Sequence, residues 1–349
     1  MGERAFGVQG IGYDAGVLYE RDFESNPHWA PERVRRDMRA IRDGLGCDTV
    51  LVMATDTGRL LETATVAREE GLAVWIQPRV FDVDPDRIAE NLELVAERAE
   101  ALRVSQGKVS LNLGCELSLS ANGFVLGGTF IRRGLALPYV SMALPLINWR
   151  LRRFLARLVT VARDRFAGPI SYGAGEWERP DWSLFDAVGL DAYRGAANAW
   201  RFSGDVRHAV ERHHRAGRPV LVFEFGTCAY VGAAENASEA ANVLSADPDG
   251  GMRVPTSLER DERVQADYLD ELFDIFADVG VDGTFVWGFS EPALTRSEEP
   301  GHDLDAASYG VVAPIGDSWL PKLAFGTIAR RYGGSGSPAP IHTDERSSP

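Results

Sequence analysis

Two carboxylates at the ends of apolar runs are the residues in this sequence best suited to do chemistry. Val220-Leu-Val-Phe-Glu-Phe-Gly226 is continuous in apolar and β-branched residues after a helix stop at Gly217 and Pro219, which predicts a strand buried on both faces. It presents a single charge, Glu224. Val109-Ser-Leu-Asn-Leu-Gly-Cys-Glu116 repeats the arrangement and ends in Glu116, 108 residues earlier. A charge at the end of a buried strand is costly unless it is paired or used. Two such ends on one barrel rim can divide a reaction. One acid, kept protonated, donates to the leaving oxygen of an acetal, while the other, ionised, attacks the anomeric carbon. Carboxyls about 5 Å apart give a covalent intermediate and retention, whereas a wider gap admits water and inverts.

The elements that must position this pair follow from the pattern of the chain. Short apolar runs alternate with amphipathic helical ones, and the alternation recurs eight times. The strands are expected at Ala5 to Gly10, Thr49 to Met53, Ala73 to Gln77, Val109 to Gly114, Pro169 to Tyr172, Ala187 to Ala192, the Glu224 run, and Gly283 to Gly288. Pro31 opens the first helix, with Val34, Met38 and Ile41 on one face, and Ile88, Leu92 and Val95 keep helical spacing in the third. Right-handed crossovers close such units into a (β/α)8 TIM barrel, here one domain over residues 1–332. A doubly wound sheet is disfavoured, because Gly7, Gly10, Gly12 and Gly16 match no dinucleotide fingerprint.

Two stretches break the economy of the pattern. Leu117 to Pro145 and Gly226 to Ser257 read as long loops after strands four and seven, without secondary structure and placed to narrow the mouth into a pocket. The tail, residues 333–349, is rich in Gly, Ser and Pro and is expected to be disordered.

With 349 residues, 45% of them apolar, a large core is available, and a net charge of −14 argues against a nucleic-acid surface. Cys47, Cys115 and Cys228 are too scattered for a disulfide framework and form no zinc motif with six dispersed histidines. The expectation is therefore no metal, no cofactor, no membrane partner, a small-molecule substrate, and, with no apolar leader, a cytoplasmic protein. Tyr193, after strand six, could bond and orient Glu224, and Trp287, ending strand eight, could floor a sugar. Tyr13, Asp14, Gln77, Arg79, Glu176, Trp177, Asp191 and Glu291 are expected at the same face, and His28 with Trp29 could close over it.

Through Gly46-Cys-Asp-Thr-Val50, Ala67-Arg-Glu-Glu-Gly-Leu-Ala-Val-Trp75 and the order of Glu116, Tyr193, Glu224 and Trp287, residues 5–332 resemble clan A glycoside hydrolases. The resemblance implies Glu116 as acid/base, Glu224 as nucleophile and a retaining mechanism, and with it a carboxyl separation of ~4 to 7 Å. The chain also resembles an actinobacterial group labelled abortive infection proteins, through Gly114-Cys-Glu116, Glu224-Phe-Gly226 and Ala307-Ser-Tyr-Gly310. It departs from the clan at two positions, with Leu51 where an arginine is usual and Cys115 in place of the asparagine before the acid/base. The departures imply a more apolar pocket and a substrate with no free hydroxyl beside the anomeric carbon. Three functional classes follow: a retaining glycosidase or transglycosidase on a small glycoside; the same acids working on a non-sugar metabolite by cyclisation or elimination; and a non-catalytic binding barrel.

Overall fold

A computed structural model describes residues 5–20, 23–248 and 250–336. The continuous apolar runs become eight parallel strands: β1 (Val8–Asp14), β2 (Thr49–Ala54), β3 (Ala73–Pro78), β4 (Val109–Cys115), β5 (Ile170–Gly173), β6 (Val188–Asp191), β7 (Val220–Glu224) and β8 (Gly283–Val286). They form one sheet with β1 between β2 and β8, running out to β5 on one side and β6 on the other. Ala174 bridges to Leu190 across that last seam, and the Asp191 amide donates to the Ala174 carbonyl at 3.0 Å, which closes the (β/α)8 barrel.

The seven principal helices form the outer wall: α1 (Pro31–Arg39), α2 (Thr57–Glu69), α3 (Pro85–Gln106), α4 (Leu144–Arg163), α5 (Ala199–His214), α6 (Glu262–Val279) and α7 (Leu323–Tyr332). Proline opens α1, α3 and α4, and Asp56 and Asp261 cap α2 and α6 by accepting from backbone amides. The fifth unit departs from the expected alternation. Between β5 and β6 the chain makes only a 3-10 turn, Trp182–Leu184, because Pro180 and the short span leave no room for an α-helix.

Each strand divides its side chains between two cores. Val220 and Val222 join the layer between strands and helices, whereas Leu221 and Phe223 fill the barrel interior with Leu51, Met53, Trp75 and Phe285. Large rings need small partners: a Cβ on Gly10 would lie 2.3 Å from the Phe285 ring. Leu51 is thus fully buried interior packing.

Both long loops carry structure that their composition did not announce. After β4 come the short helices Leu117–Ser120 and Phe130–Ala136; after β7 come a 3-10 segment, Ala233–Val243, and a small hairpin of Ser245–Ala246 with Met252–Arg253. β1 extends through Tyr13 and Asp14, which were expected in the following loop, because Gly10 to Asp14 pair with Thr49 to Met53. At the other end, the described residues 333–336 of the tail are pinned: Ser335 and Gly336 donate to the carbonyls of Asp43 and Gly44. Residues 337–349 of that expectation lie outside the described residues.

Candidate active site

One extra residue in each of two strands turns the functional side chains into the barrel. On β7, Val222 pairs with Leu190 and Glu224 with Asp191, so Phe223 is skipped. On β4, Asn112 pairs with Ser171 and Cys115 with Gly173, again with one residue too many. Such bulges at a barrel rim re-aim side chains. Here they point Cys115 inward and bring Glu224 in immediately after Phe223, where strict alternation would have sent it to the helix layer.

Glu224 is 5% exposed and held from three sides. Arg79, one residue beyond β3, pairs with its Oε1 at 2.5 Å; the Tyr193 hydroxyl donates to Oε2 at 3.3 Å; and the Cys115 thiol lies 3.4 Å from Oε1. The same thiol lies 3.4 Å from Asp191 Oδ2, so its one proton serves either carboxylate. Burial pushes the Cys115 thiol well up, which keeps it protonated. Asp191 is also pushed well up, first by burial and then by Glu224 and Glu116. Gly173 makes room for it, since a Cβ there would meet both Asp191 oxygens at 3.1 Å.

Glu116 follows β4 directly and adopts the left-handed conformation, φ +46°, which is uncommon for a residue with a side chain. Its backbone is gripped from both sides. The Glu116 amide donates to the Gly173 carbonyl at 2.9 Å, and the next two amides, Leu117 and Ser118, donate to the Tyr172 hydroxyl at 2.7 Å and to Glu178 at 2.9 Å. Tyr172 in turn donates to Glu178 at 2.7 Å. Burial, then Glu224, then Glu178 push the Glu116 carboxyl up to about 8. One acid is therefore held protonated beside another that is ion-paired.

The expected residues separate into two groups. Glu116, Glu224, Tyr193, Asp191, Cys115, Trp287 and Gln77 do come together. Gln77, fully buried, accepts from Arg79 at 3.2 Å, and the Arg79 guanidinium lies over the Trp287 ring, 4.7 Å from its centre. Glu291, beyond β8, is pushed up to about 7 by burial and shares a cleft with Asp14 and Trp287.

Four residues fall elsewhere. Tyr13 turns to the helix layer and donates to Asp37 at 2.8 Å, because strand alternation puts it opposite Gly12 and Asp14. Glu176 is exposed and pairs with Arg201 at 3.3 Å; Glu178, two residues on, is the buried one. Trp177 packs with Leu119, Val125 and Ile147 and donates to Ser118 at 2.9 Å. Trp29 likewise faces outward, donating to Thr63 at 3.0 Å.

Arg79 overturns the expectation of an apolar pocket drawn from Leu51. The cation missing from β2 is supplied from the end of β3. Above it, Tyr19, Phe81 and Phe130 form an aromatic chain with ring centres 5.0 and 4.6 Å apart, and the cleft at Trp287 has about 10 Å3, room for one water. Cys115, Asp191 and Glu224 also present three ligand atoms within 4.8 Å of one another, a donor set for a soft divalent cation. Arg79 already places positive charge on that Glu224 oxygen and opposes one.

No protein-family model matches this chain, and no curated protein does. Solved structures do. A GH113 beta-1,4-mannanase superposes with a TM-score of 0.61 at 16% identity, covering 95% of this chain and 99% of its own. The GH113 beta-mannanase AaManA from Alicyclobacillus acidocaldarius gives 0.58 at 15% identity over 93% and 97%. Bacteroides uniformis beta-glucuronidase 2 gives 0.57 at 16% identity over 93% of this chain and 35% of that one. The chain has the (β/α)8 barrel fold of these hydrolases. The likeness is one of fold, and it extends over almost the whole chain.

Proposed function

We propose that this protein is a retaining glycoside hydrolase or transglycosidase acting on a small glycoside, with Glu116 as acid/base and Glu224 as nucleophile. The observation that carries the reading is the contrast between the two carboxyls: Glu116 pushed up to about 8, Glu224 ion-paired with Arg79 at 2.5 Å. In the first step a Glu224 oxygen bonds to the anomeric carbon while the aglycone oxygen leaves with the Glu116 proton. In the second, Glu116 takes a proton from water, whose oxygen displaces Glu224 and restores the starting configuration.

Tyr193 and Arg79 orient Glu224 from its two oxygens. Because the cleft has about 10 Å3, the sugar must displace the Arg79 side chain from the Trp287 ring and part the aromatic chain above it. A pocket that opens this way favours a small glycoside over a polymer. Cys115 in place of an amide favours a sugar with no free hydroxyl next to the anomeric carbon, because a thiol is a weak donor.

One observation favours a second reading. Asp191, a third buried acid pushed well up beside the pair, suits proton transfer to a non-sugar metabolite. A panel of aryl glycosides that includes mannosides and glucuronides separates the two. Turnover on any member, lost at least about a thousandfold in Glu224→Gln, supports the glycosidase. No turnover anywhere, or turnover that survives Glu224→Gln, overturns it.

A further inference from the structure

The segment from Leu117 to Arg163 differs in charge from everything around it. It holds seven arginines and neither aspartate nor glutamate, in a chain with 51 acidic residues and a net charge of −14. Three of the arginines are used internally: Arg133 is buried against Asp82, and Arg157 and Arg163 pair with Asp86 and Asp186. Arg132, Arg150, Arg152 and Arg153 form no ion pair with an acid among the described residues, Arg152 acting on Asp181 only through its field.

The same segment exposes large apolar side chains. Leu126, Leu135, Tyr139, Met142, Leu146 and Trp149 all face solvent, Tyr139 at 87% and Met142 at 97%. A patch of this kind on a soluble domain marks an interaction surface. Phe130–Tyr139 and Ser141–Arg163 meet at a bend of 93°, which carries Tyr139 and Met142 at its corner. Beside them Trp149, Arg150 and Arg153 line a hollow of about 470 Å3 with Asn122, Phe124 and Asp84. Its two arginines sit over the rings of Phe124 and Trp149, 5.9 and 4.9 Å from their centres.

We propose that this segment docks the protein on an anionic lipid surface. The apolar corner enters the boundary of the acyl chains, Tyr139 and Trp149 lie at the headgroup level, and the four arginines meet lipid phosphates. Among the described residues no single helix is long and apolar enough to cross a membrane; only the two helical stretches taken together have that length and composition, and they are bent by 93° at their break. This departs from the expectation of no membrane partner. Phe130, within the segment, touches Phe81 beside Arg79, so docking sets the barrel mouth against the bilayer.

The test is flotation of the full chain with vesicles of phosphatidylcholine containing about a third phosphatidylglycerol, against phosphatidylcholine alone. Binding to the anionic vesicles should be at least about tenfold stronger and should weaken as salt rises. Arg150→Ala with Arg153→Ala should remove the anionic preference, and Met142→Asp with Leu146→Asp should release the protein from both vesicles. All four positions are exposed, and unchanged circular dichroism and Tm confirm folding. Equal flotation with both vesicle types, no flotation, or undiminished flotation of both double variants overturns the proposal. So does a dimer in lipid-free buffer that Met142→Asp with Leu146→Asp abolishes in a protein that binds no vesicle, since the surface then belongs to a second copy.

Discussion

Glu116 must carry its proton for an aglycone to leave, so kcat/KM on any substrate should fall as pH rises through about 8. Glu178 contributes to that value through its charge. Glu178→Gln keeps a partner for Ser118 and Tyr172 but removes a like charge, and the alkaline limb should move to lower pH. An unmoved limb would assign it to another group. Arg79→Met leaves Glu224 buried without its ion pair. Loss of one partner of a buried pair costs about 3 to 5 kcal/mol, so Tm should fall along with kcat/KM, and Arg79→Lys should recover part of both.

The two glutamates and Tyr193 were legible because each ends an apolar run, where a charge or hydroxyl needs a reason. Arg79 was legible only as one of several polar residues at the same face. Nothing local distinguishes it from Gln77 or predicts a reach from β3 to β7. Glu178 was missed for a different reason. Gly175-Glu176-Trp177-Glu178 carries an acid on either side of a tryptophan, and only the turn in which the Glu178 amide donates to Gly175 at 3.0 Å decides which one is buried.

Strands and their irregularities set the geometry at the next scale. Eight apolar runs were readable as a barrel, since period and spacing survive in the sequence. The bulges on β4 and β7 were not, because one extra residue leaves no mark in a run that is apolar throughout. Loop structure was equally hidden: the helices after β4 and the 3-10 segment after β7 are short and mix small, apolar and charged residues without a period. Gly173 tests the element directly. Gly173→Ala places a methyl 3.1 Å from both Asp191 oxygens and should displace that carboxyl, lowering kcat at least about tenfold while the fold persists. Unchanged kcat would show that Asp191 takes no part in the site.

At the scale of the molecule, its acids fall into two opposing sets. Asp14 and Asp37 are pushed up to about 6, Glu291 to about 7 and Glu116 to about 8, all chiefly by burial. Raised values mean that the native state binds more protons than the unfolded chain, so their contribution is complete below about pH 4 and is lost as pH rises through 6 to 8. Asp43, Glu100 and Asp274, held below the usual range by bonds from Arg42, Arg103 and Arg331, act oppositely and lose their contribution as pH falls below about 4. Tm should therefore peak between about pH 4 and 6 and decline towards 8. Glu116→Gln should flatten the upper part of that decline; a Tm that rises from pH 6 to 8 would contradict the burial of these groups.

The most direct measurement on the whole account is the fate of Glu224 during turnover. An activated 2-deoxy-2-fluoro glycoside of whichever sugar the panel identifies should add one glycosyl unit to the intact protein, and peptide mapping should find it as an ester on Glu224. Label on another residue, or turnover with inversion and no labelled protein, would contradict the assignment of Glu224 as nucleophile.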